Sequence, residues 1–336
     1  MALYRSIHLL HIVEIFSVMF LAIYIAGRVN IDTIVEVDDI FLSGRKYVGR
    51  VISECIGGSG ANIAIAIARF NKKLNPKLIA SIGRDYADYI IDMLSSEGVD
   101  TSKMSIYSYM SGRAYVFIDK RCEATIVTIP GANEYPPDRD RYMDISDANA
   151  LVVANIDRAT ALNLMNIVRG LDIPIFLDPG KSWFSVDYLN SIENKCFILP
   201  NRYEFREIFG IDVDRNLQDI HAIDSRCIVV VKLGAEGAVA IDKNSWEVIK
   251  VSPLDIEGLG LKAKTTAGCG DIFTGVFTAR YLESRDIVDS IEYASIAAGL
   301  KRSKILSSDA PIREEIEDAL TSARRRGLMS ITIRKL

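Results

Sequence analysis

The sequence predicts one α/β domain, built on a mainly parallel sheet covered by helices and carrying a small separate β-sheet. Three observations predict it. Apolar runs rich in Ile and Val alternate with helical patterns along most of the chain, which indicates a single α/β unit. Those apolar runs are continuous rather than alternating, as in strands buried on both faces. Two stretches, Thr33–Cys55 and Gly112–Thr128, lack helical periodicity and alternate in the manner of exposed strands, as in IVEV and AYVFI. They read as a small separate sheet inserted into the core, either a lid that excludes water from a site beneath it or plain edge hairpins.

The elements follow in order. Phe20–Ala26 (FLAIYIA) is the first buried strand. Ala61–Phe70 and Tyr86–Glu97 read as helices on either side of a strand at Leu78–Ile82. Ala150–Ala154 is a strand and Ala159–Arg169 a helix. Ile173–Leu177, Cys196–Leu199 and Ile228–Val231 are further strands. Asp271–Leu282, Ile287–Arg302 and Arg313–Arg325 are helices. No repeat or low-complexity segment interrupts them.

The N-terminus stands apart. Ile7–Ala26 is almost wholly apolar, interrupted mainly by His8, His11 and Glu14, and it has the length of a membrane span. A carboxylate near the middle of a span costs about 2.5–3.5 kcal/mol, which argues against one. No small-residue cleavage site follows, which argues against a secretory signal. Residues 1–19 are therefore expected to be an extension, with Met19 as the natural start, and 20–336 the domain.

Composition excludes several function classes. Hydrophobic residues are 49% and charged residues 25%, so the chain folds rather than remaining disordered. The net charge is −4 and there is no basic stripe, so nucleic acid is not an expected partner. Arg324-Arg325-Arg326 reads as the cationic end of a helix. The five cysteines, Cys55, Cys122, Cys196, Cys227 and Cys269, contain no CxxC pair. Neither structural zinc nor a disulfide framework is expected, and a reduced, cytoplasmic setting fits. The three histidines lie far from any candidate nucleophile, against a Ser-His-Asp hydrolase.

Two glycine-rich segments carry chemistry. Thr265-Thr266-Ala267-Gly268-Cys269-Gly270-Asp271 opens the helix IFTGVFTARYL. Small residues before a helix let the backbone approach an anion, and the helix start offers free N–H groups. Asp271 in the first turn is placed to accept a proton from an attacking hydroxyl. Ordinary helix capping would also use Thr, Gly and Asp. Gly57-Gly58-Ser59-Gly60-Ala61-Asn62 opens the helix at Ala61, and its Asn suits a polyhydroxyl ligand. Taken alone it is a glycine-rich turn. GxxxxGK[ST] does not occur in the chain, and no GxGxxG follows the first strand, which disfavours a nicotinamide dehydrogenase.

Together these segments resemble the ribokinase-like, or PfkB, carbohydrate kinases. The resemblance extends from about Phe20 to the end, in the family's order. Gly27-Arg-Val-Asn30-Ile-Asp32 is similar to the opening strand and turn, and GGSGAN at 57–62 to the first signature. SIGRDYADYIIDMLSSEGVD at 81–100 resembles the G-x-D-x-x-G region, with Ala87 or Asp88 where Gly is usual. SGRAYVFID at 111–119 and PGAN at 130–133 resemble the second lid strand and its turn. Asp178-Pro179 is similar to the DP step, Asn201-Arg-Tyr-Glu204 to N-x-x-E, Lys232-Leu-Gly234-Ala-Glu-Gly237 to K-x-G-x-x-G, and TTAGCGD to the C-terminal signature. Each motif is short; their joint order is the specific signal.

The resemblance implies a ribokinase-like three-layer α/β/α fold with a β-sheet lid at about 33–55 and 112–128. It implies ATP and Mg²⁺, a sugar or nucleoside substrate, and a homodimer formed through the lid. Asp271 would be the base, with the backbone of Gly268, Cys269 and Gly270 as anion hole. Asn30, Asp32, Gly57, Gly58 and Asn62 would hold the substrate. Asn201, Lys232, Gly234, Gly237 and Thr266 would lie at the nucleotide, and Glu204 would organise Mg²⁺ through water. Two positions depart from the pattern. Thr265 stands where an Asp usually helps bind a monovalent cation, and Thr offers only a neutral oxygen. Ala294–Ala298 lacks the Asn that often faces adenine. A non-catalytic sugar or nucleotide sensor on the same fold is the alternative of another class.

Overall fold

The computed structural model describes residues 20–39, 44–180, 184–213, 225–243 and 245–335. The expected extension at 1–19 lies outside the described residues. The chain opens with β1 (Leu21–Gly27) and β2 (Asn30–Glu36), then β3 (Arg50–Gly57) and α1 (Ser59–Phe70). β4 (Leu74–Ile79), β5 (Ser81–Gly83), α2 (Ala87–Ser96), β6 (Ser105–Tyr107), β7 (Gly112–Ile118) and β8 (Ala124–Ile129) follow. Next come α3 (Arg139–Tyr142), β9 (Ala148–Ala154), α4 (Arg158–Val168), β10 (Ile175–Asp178), α5 (Val186–Asn190), β11 (Cys196–Ile198) and α6 (Arg202–Phe209). The chain closes with β12 (Ile228–Lys232), β13 (Ala238–Asp242), β14 (Glu247–Val251), α7 (Cys269–Ser284), α8 (Ile287–Lys301), α9 (Arg313–Arg326) and β15 (Ile331–Lys335).

Among the described residues, nine strands form the central sheet in the order β15-β14-β13-β12-β11-β10-β9-β1-β4. From β4 to β12 neighbouring strands are parallel; β13, β14 and β15 add an antiparallel edge. The pleat sends successive side chains to opposite faces. On β1, Ile23 and Ile25 join one core with residues of α1, α2, α7, α8 and α9. Ala22, Tyr24 and Ala26 join the other with residues of α4, α5 and α6. Both faces are covered, which is why the strands read as continuous apolar runs. A second sheet, ordered β3-β2-β7-β8, carries the alternating segments. β8 shows the cost of that position, with Ile126, Val127 and Ile129 exposed.

The helices begin and end where local chemistry allows. Asp157 caps α4 by accepting from the Thr160 N–H, and Asp286 caps α8 by accepting from the Asp289 N–H. The arginines at 324–326 form the last turn of α9, as expected of a helix C-terminus.

Two expectations are corrected. The apolar run Leu78–Ile82 is not one strand: it breaks at Ala80. Leu74–Ile79 pairs with β1, whereas Ser81–Gly83 pairs with β6 in a separate two-stranded sheet. An unbroken apolar run cannot reveal a change of partner. The cysteines are also not all free. Cys196 and Cys227 form a disulfide, with Cα atoms 4.6 Å apart. The parallel register of β11 and β12 pairs Phe197 with Ile228, so the two preceding cysteines face one another. That neighbourhood is invisible in a separation of 31 residues. No helix among the described residues is long and apolar enough to cross a membrane.

Beside the disulfide, the Phe197 ring stacks on Phe176 at 5.0 Å and meets Tyr281 edge-on at 4.5 Å, all three fully buried. Phe197→Ala is expected to destabilise the fold by about 3–5 kcal/mol, read from the shift of the urea midpoint. A shift worth less than about 1 kcal/mol would contradict this packing.

Candidate functional site

Chain direction places the site. In sheets of this kind ligands bind beyond the carboxyl ends of parallel strands. Here those ends deliver Arg28 after β1, Asn155 after β9, Asp178 on β10, Asn201 after β11 and Lys232 on β12. A cavity of about 190 Å³ opens there beneath the second sheet, lined by Asn30, Asp32, Asn62, Asn155, Asp271 and Ser307 among others.

Asn30 and Asp32 arrive on β2, whose first residues leave the core sheet and enter the cover. Both are buried. Asn30 Oδ1 accepts from Asn133 Nδ2 at 3.0 Å; Asn133 itself sits in the PGAN turn and also donates to Val29 O and Pro130 O. Asp32 Oδ2 accepts from the Ser307 hydroxyl at 2.5 Å. Gly57 on β3, paired with Asn30 of β2, makes room for that carboxylate: a Cβ there would stand 1.9 Å from Asp32 Oδ2. Asn62, in the first turns of α1, donates from Nδ2 to Asp271 Oδ2 at 2.7 Å. Two acceptors remain. Asp32 Oδ1 and Asn62 Oδ1 are buried without a hydrogen-bond partner among the described residues. A buried polar atom is normally satisfied, so each marks a place for a donor that the protein does not supply.

Asp271 lies in the first turn of α7, and no side chain caps that helix. Gly268, at its N-cap, has φ 77° and its missing side chain leaves room for Ser307 O, which a Cβ would meet at 2.1 Å. The Cys269 N–H donates to Thr266 O at 3.3 Å. The N–H groups of Gly268 and Gly270 have no acceptor among the described residues. Of the three expected anion-hole donors, two are thus unengaged and the third closes the turn. Thr265 is fully buried and its Oγ1 accepts from the Ala267 N–H at 3.1 Å, so its oxygen serves the same turn.

Lys232 sits under this loop. An ideal Cβ on Gly270 would lie 3.7 Å from its Nζ. The ammonium pairs with Asp178 Oδ2 at 2.6 Å and donates to Thr274 Oγ1 at 3.3 Å, and the Thr274 hydroxyl donates to Asp178 Oδ2 at 2.5 Å. Asn201 and Glu204 form a capping box on α6: Asn201 Oδ1 accepts from the Tyr203 and Glu204 N–H groups, and Glu204 Oε2 accepts from the Asn201 N–H at 2.8 Å. Gly234 and Gly237 shape the turn after Lys232, closed by a Leu233 N–H to Gly237 O bond of 2.8 Å. Thr266 reaches the cover instead, accepting from the Ala124 N–H at 3.2 Å.

Burial perturbs the carboxyls. It pushes Asp271 up to about 6, helped by Asp178 and opposed by the Asn62 hydrogen bond and Lys232. It pushes Asp32 up to about 6 against the Ser307 hydroxyl. Glu204 rises to about 7, from burial first and Asp178 second. Such a cluster in a cleft is where proton transfer is expected.

Of the residues the sequence reading names, Asn30, Asp32, Gly58, Asn62, Gly268 and Asp271 line one cavity, whereas Gly57, Cys269 and Gly270 are not among its lining residues. The sequence reading names no role for Arg28, Asn155, Thr274 or Ser307, and takes Asp178 only as part of a strand-end step. Asn155, with φ 51° just past β9, left a trace only in the unusual backbone its position demands.

Comparison with known proteins bears on this site. Residues 22–313 match the model of the pfkB family carbohydrate kinases. The chain is similar to a ribokinase of Haemophilus influenzae, 26% identical over 89% of this chain and 98% of that protein. It is also similar to a deoxyribokinase of Salmonella typhi, 25% identical over 89% and 98% of the two chains. In structure it is similar to a ribokinase from Cryptococcus neoformans crystallised with ADP, with a TM-score of 0.76, 23% identity, and 89% and 99% of the two chains covered.

The Asn62 amide is one of the influences holding Asp271 down. Asn62→Ala is therefore expected to move the Asp271 titration above about 6, followed by carboxyl carbon chemical shifts; an unmoved midpoint would contradict the contact.

Proposed function

The chain belongs to the pfkB family of carbohydrate kinases, phosphotransferases with an alcohol group as acceptor, and from that premise we propose that it transfers the terminal phosphoryl group of ATP to a hydroxyl or hydroxymethyl of a small sugar. The observation that carries the reading is the pair of unsatisfied buried acceptors, Asp32 Oδ1 and Asn62 Oδ1, beside a recessed Asp271. Hydroxyls of a sugar are the donors those atoms lack.

In this reading Asn30, Asp32 and Asn62 orient the sugar so that one hydroxyl faces Asp271. Asp271 takes the hydroxyl proton as the oxygen attacks the terminal phosphorus and the bond to the ADP oxygen breaks. The charge spread over the transferring oxygens meets the unengaged N–H groups of Gly268 and Gly270 and the positive end of α7. Lys232, held beneath Gly270 by Asp178 and Thr274, adds a cation on the phosphate side. The second sheet lies over the cavity and keeps water from competing with the sugar.

Mg²⁺ fits the residues present, provided that phosphates and water supply most of its ligands. Among the described residues no group of three or more His, Cys, Asp or Glu is arranged to hold a metal. Glu204 keeps Oε1 outside its capping bond and would meet the ion through water, which suits a cation that sheds water reluctantly. Bound there, the ion would neutralise phosphate charge. A nucleoside in place of the sugar is the alternative acceptor. A cytoplasmic enzyme that pairs through its lid completes the proposal; exposed Val51, Ile126 and Val127 on that sheet favour the pairing.

Assayed with ATP against pentoses, hexoses and nucleosides, the chain is expected to release ADP only with its sugar. Sugar binding without ADP release would favour a non-catalytic sensor instead. With the sugar found, Asp271→Asn should cut kcat by roughly a hundredfold or more while leaving nucleotide affinity nearly unchanged. Near-normal turnover would refute the role. The pH profile has a definite sign. Asp271 and Asp32 are ionised above about 6, at some cost to stability, and protonated below it. Protonation relieves that cost but removes the base, so kcat/KM should fall as pH drops through about 6. A profile flat to pH 5 would contradict it.

A further inference from the structure

Lys301 closes α8 and is among the largest fully buried side chains of the protein. Its ammonium is poorly compensated. Nζ donates one hydrogen bond, 3.3 Å to Lys304 O, and no carboxylate lies within ion-pair distance of it among the described residues. An apolar side chain of similar size would fill the same space without the desolvation cost of a charge. The charge is retained at one particular place, behind the loop at 265–271.

Three backbone contacts hold the segment that follows Lys301 against that loop. Arg302 O, the next residue on, accepts from the N–H groups of Lys264 at 2.7 Å and Thr265 at 3.3 Å. Ser307 O lies against Gly268, within 2.1 Å of where a Cβ would be. The groups that face Lys301 electrostatically are Cys269 and Asp271 on α7, Asp309 in the loop after α8 and Cys55 on β3. In turn, burial raises the Cys269 thiol, and Lys301 is the strongest influence opposing it, followed by Arg302. Between those backbone contacts the turn has no anionic side chain of its own, since Thr265 stands at its start with its oxygen already engaged.

We propose that Lys301 is a built-in cation for phosphoryl transfer, its ammonium held behind Gly268–Gly270 as a fixed positive charge for the negative charge that collects in front of them. The proposal rests on the kinase reading above and extends it. A tethered charge needs no reorganisation as the reaction proceeds, which is what makes such groups effective. It also removes any need for a small cation beside this loop. Burial holds the lysine below its ordinary pKa, so the positive charge is present at neutral pH and lost earlier on the alkaline side than an exposed lysine would lose it.

The test compares the parent with Lys301→Met and Lys301→Ala. Lys301→Met is expected to lower kcat roughly ten- to hundredfold with KM for the sugar within about threefold, since the lost interaction acts on the transition state. Its melting temperature should be equal to the parent's or higher, because a buried charge has gone. In Lys301→Ala, ammonium or potassium ions should restore turnover by filling the space, and tetramethylammonium should not. The parent's rate should fall at alkaline pH, and that limb should vanish in Lys301→Met. Binding of inorganic tripolyphosphate, measured by calorimetry, should weaken about tenfold in Lys301→Met; this readout does not depend on turnover, so it separates Lys301 from the kinase reading itself. Full turnover and unchanged tripolyphosphate binding in a folded Lys301→Met would overturn the proposal. So would a lowered melting temperature with lost activity that no cation restores, which is the signature of a purely structural lysine.

Discussion

The site depends on one hydrogen bond, Asn62 Nδ2 to Asp271 Oδ2 at 2.7 Å, across 209 residues of chain. It joins the start of α1 to the start of α7, two helices packed side by side in one layer. Both begin in glycine-rich turns, so the backbone can descend to the cavity floor at each. The bond does two things at once. It holds the Asp271 carboxylate toward the cavity, and it favours the ionised form that a base needs. The Asn62 side-chain oxygen, Oδ1, is left without a partner among the described residues. Everything else is arranged around that junction: the second sheet above it through Asn30 and Asn133, the Ser307 loop beside it through Asp32, and Lys232 below through Asp178 and Thr274.

Much of this was legible in the sequence because it rests on local rules. Continuous Ile- and Val-rich runs imply strands covered on both faces, and the helices expected at 61–70, 271–282 and 313–325 form at 59–70, 269–284 and 313–326. GGSGAN and TTAGCGD were readable because close backbone approach demands small residues wherever it occurs. What escaped is non-local. Cys196 and Cys227 meet only because β11 and β12 are adjacent and in one register. Ala80 ends one strand because its neighbours change sheets. Ser307 and Asn155 belong to no motif; they matter because other segments bring Asp32 and the cavity to them. Lys301 reads as an ordinary helix-end lysine, which is usually solvated, and only burial distinguishes it. Glu204 illustrates the opposite case: its helix-start position is real capping, and the same geometry leaves one oxygen for a further role.

The charges explain why the arrangement is stable enough to persist yet poised to react. Asp32, Asp178, Glu204 and Asp271 crowd one end of the sheet; burial raises Asp32, and burial together with the nearby Asp178 raises Glu204 and Asp271. The fourth, Asp178, is the one neutralised directly by Lys232. In the proposed function, a polyanionic nucleotide would enter on the side of that lysine and of the N-terminus of α7, and a polyhydroxyl ligand on the side of the unsatisfied acceptors, with Asp271 on the boundary.

The central claim is that those unsatisfied acceptors receive hydroxyls of the sugar. A double-mutant cycle tests it most directly, pairing Asp32→Ala with an analogue of the sugar that lacks the facing hydroxyl, and reading kcat/KM. Removing the hydroxyl should cost the parent on the order of tenfold to a hundredfold, because a buried carboxylate oxygen is left unpaired. In Asp32→Ala the same removal should cost almost nothing. An equal cost in both proteins would mean that the hydroxyl is bound elsewhere, and the account of the site would be wrong.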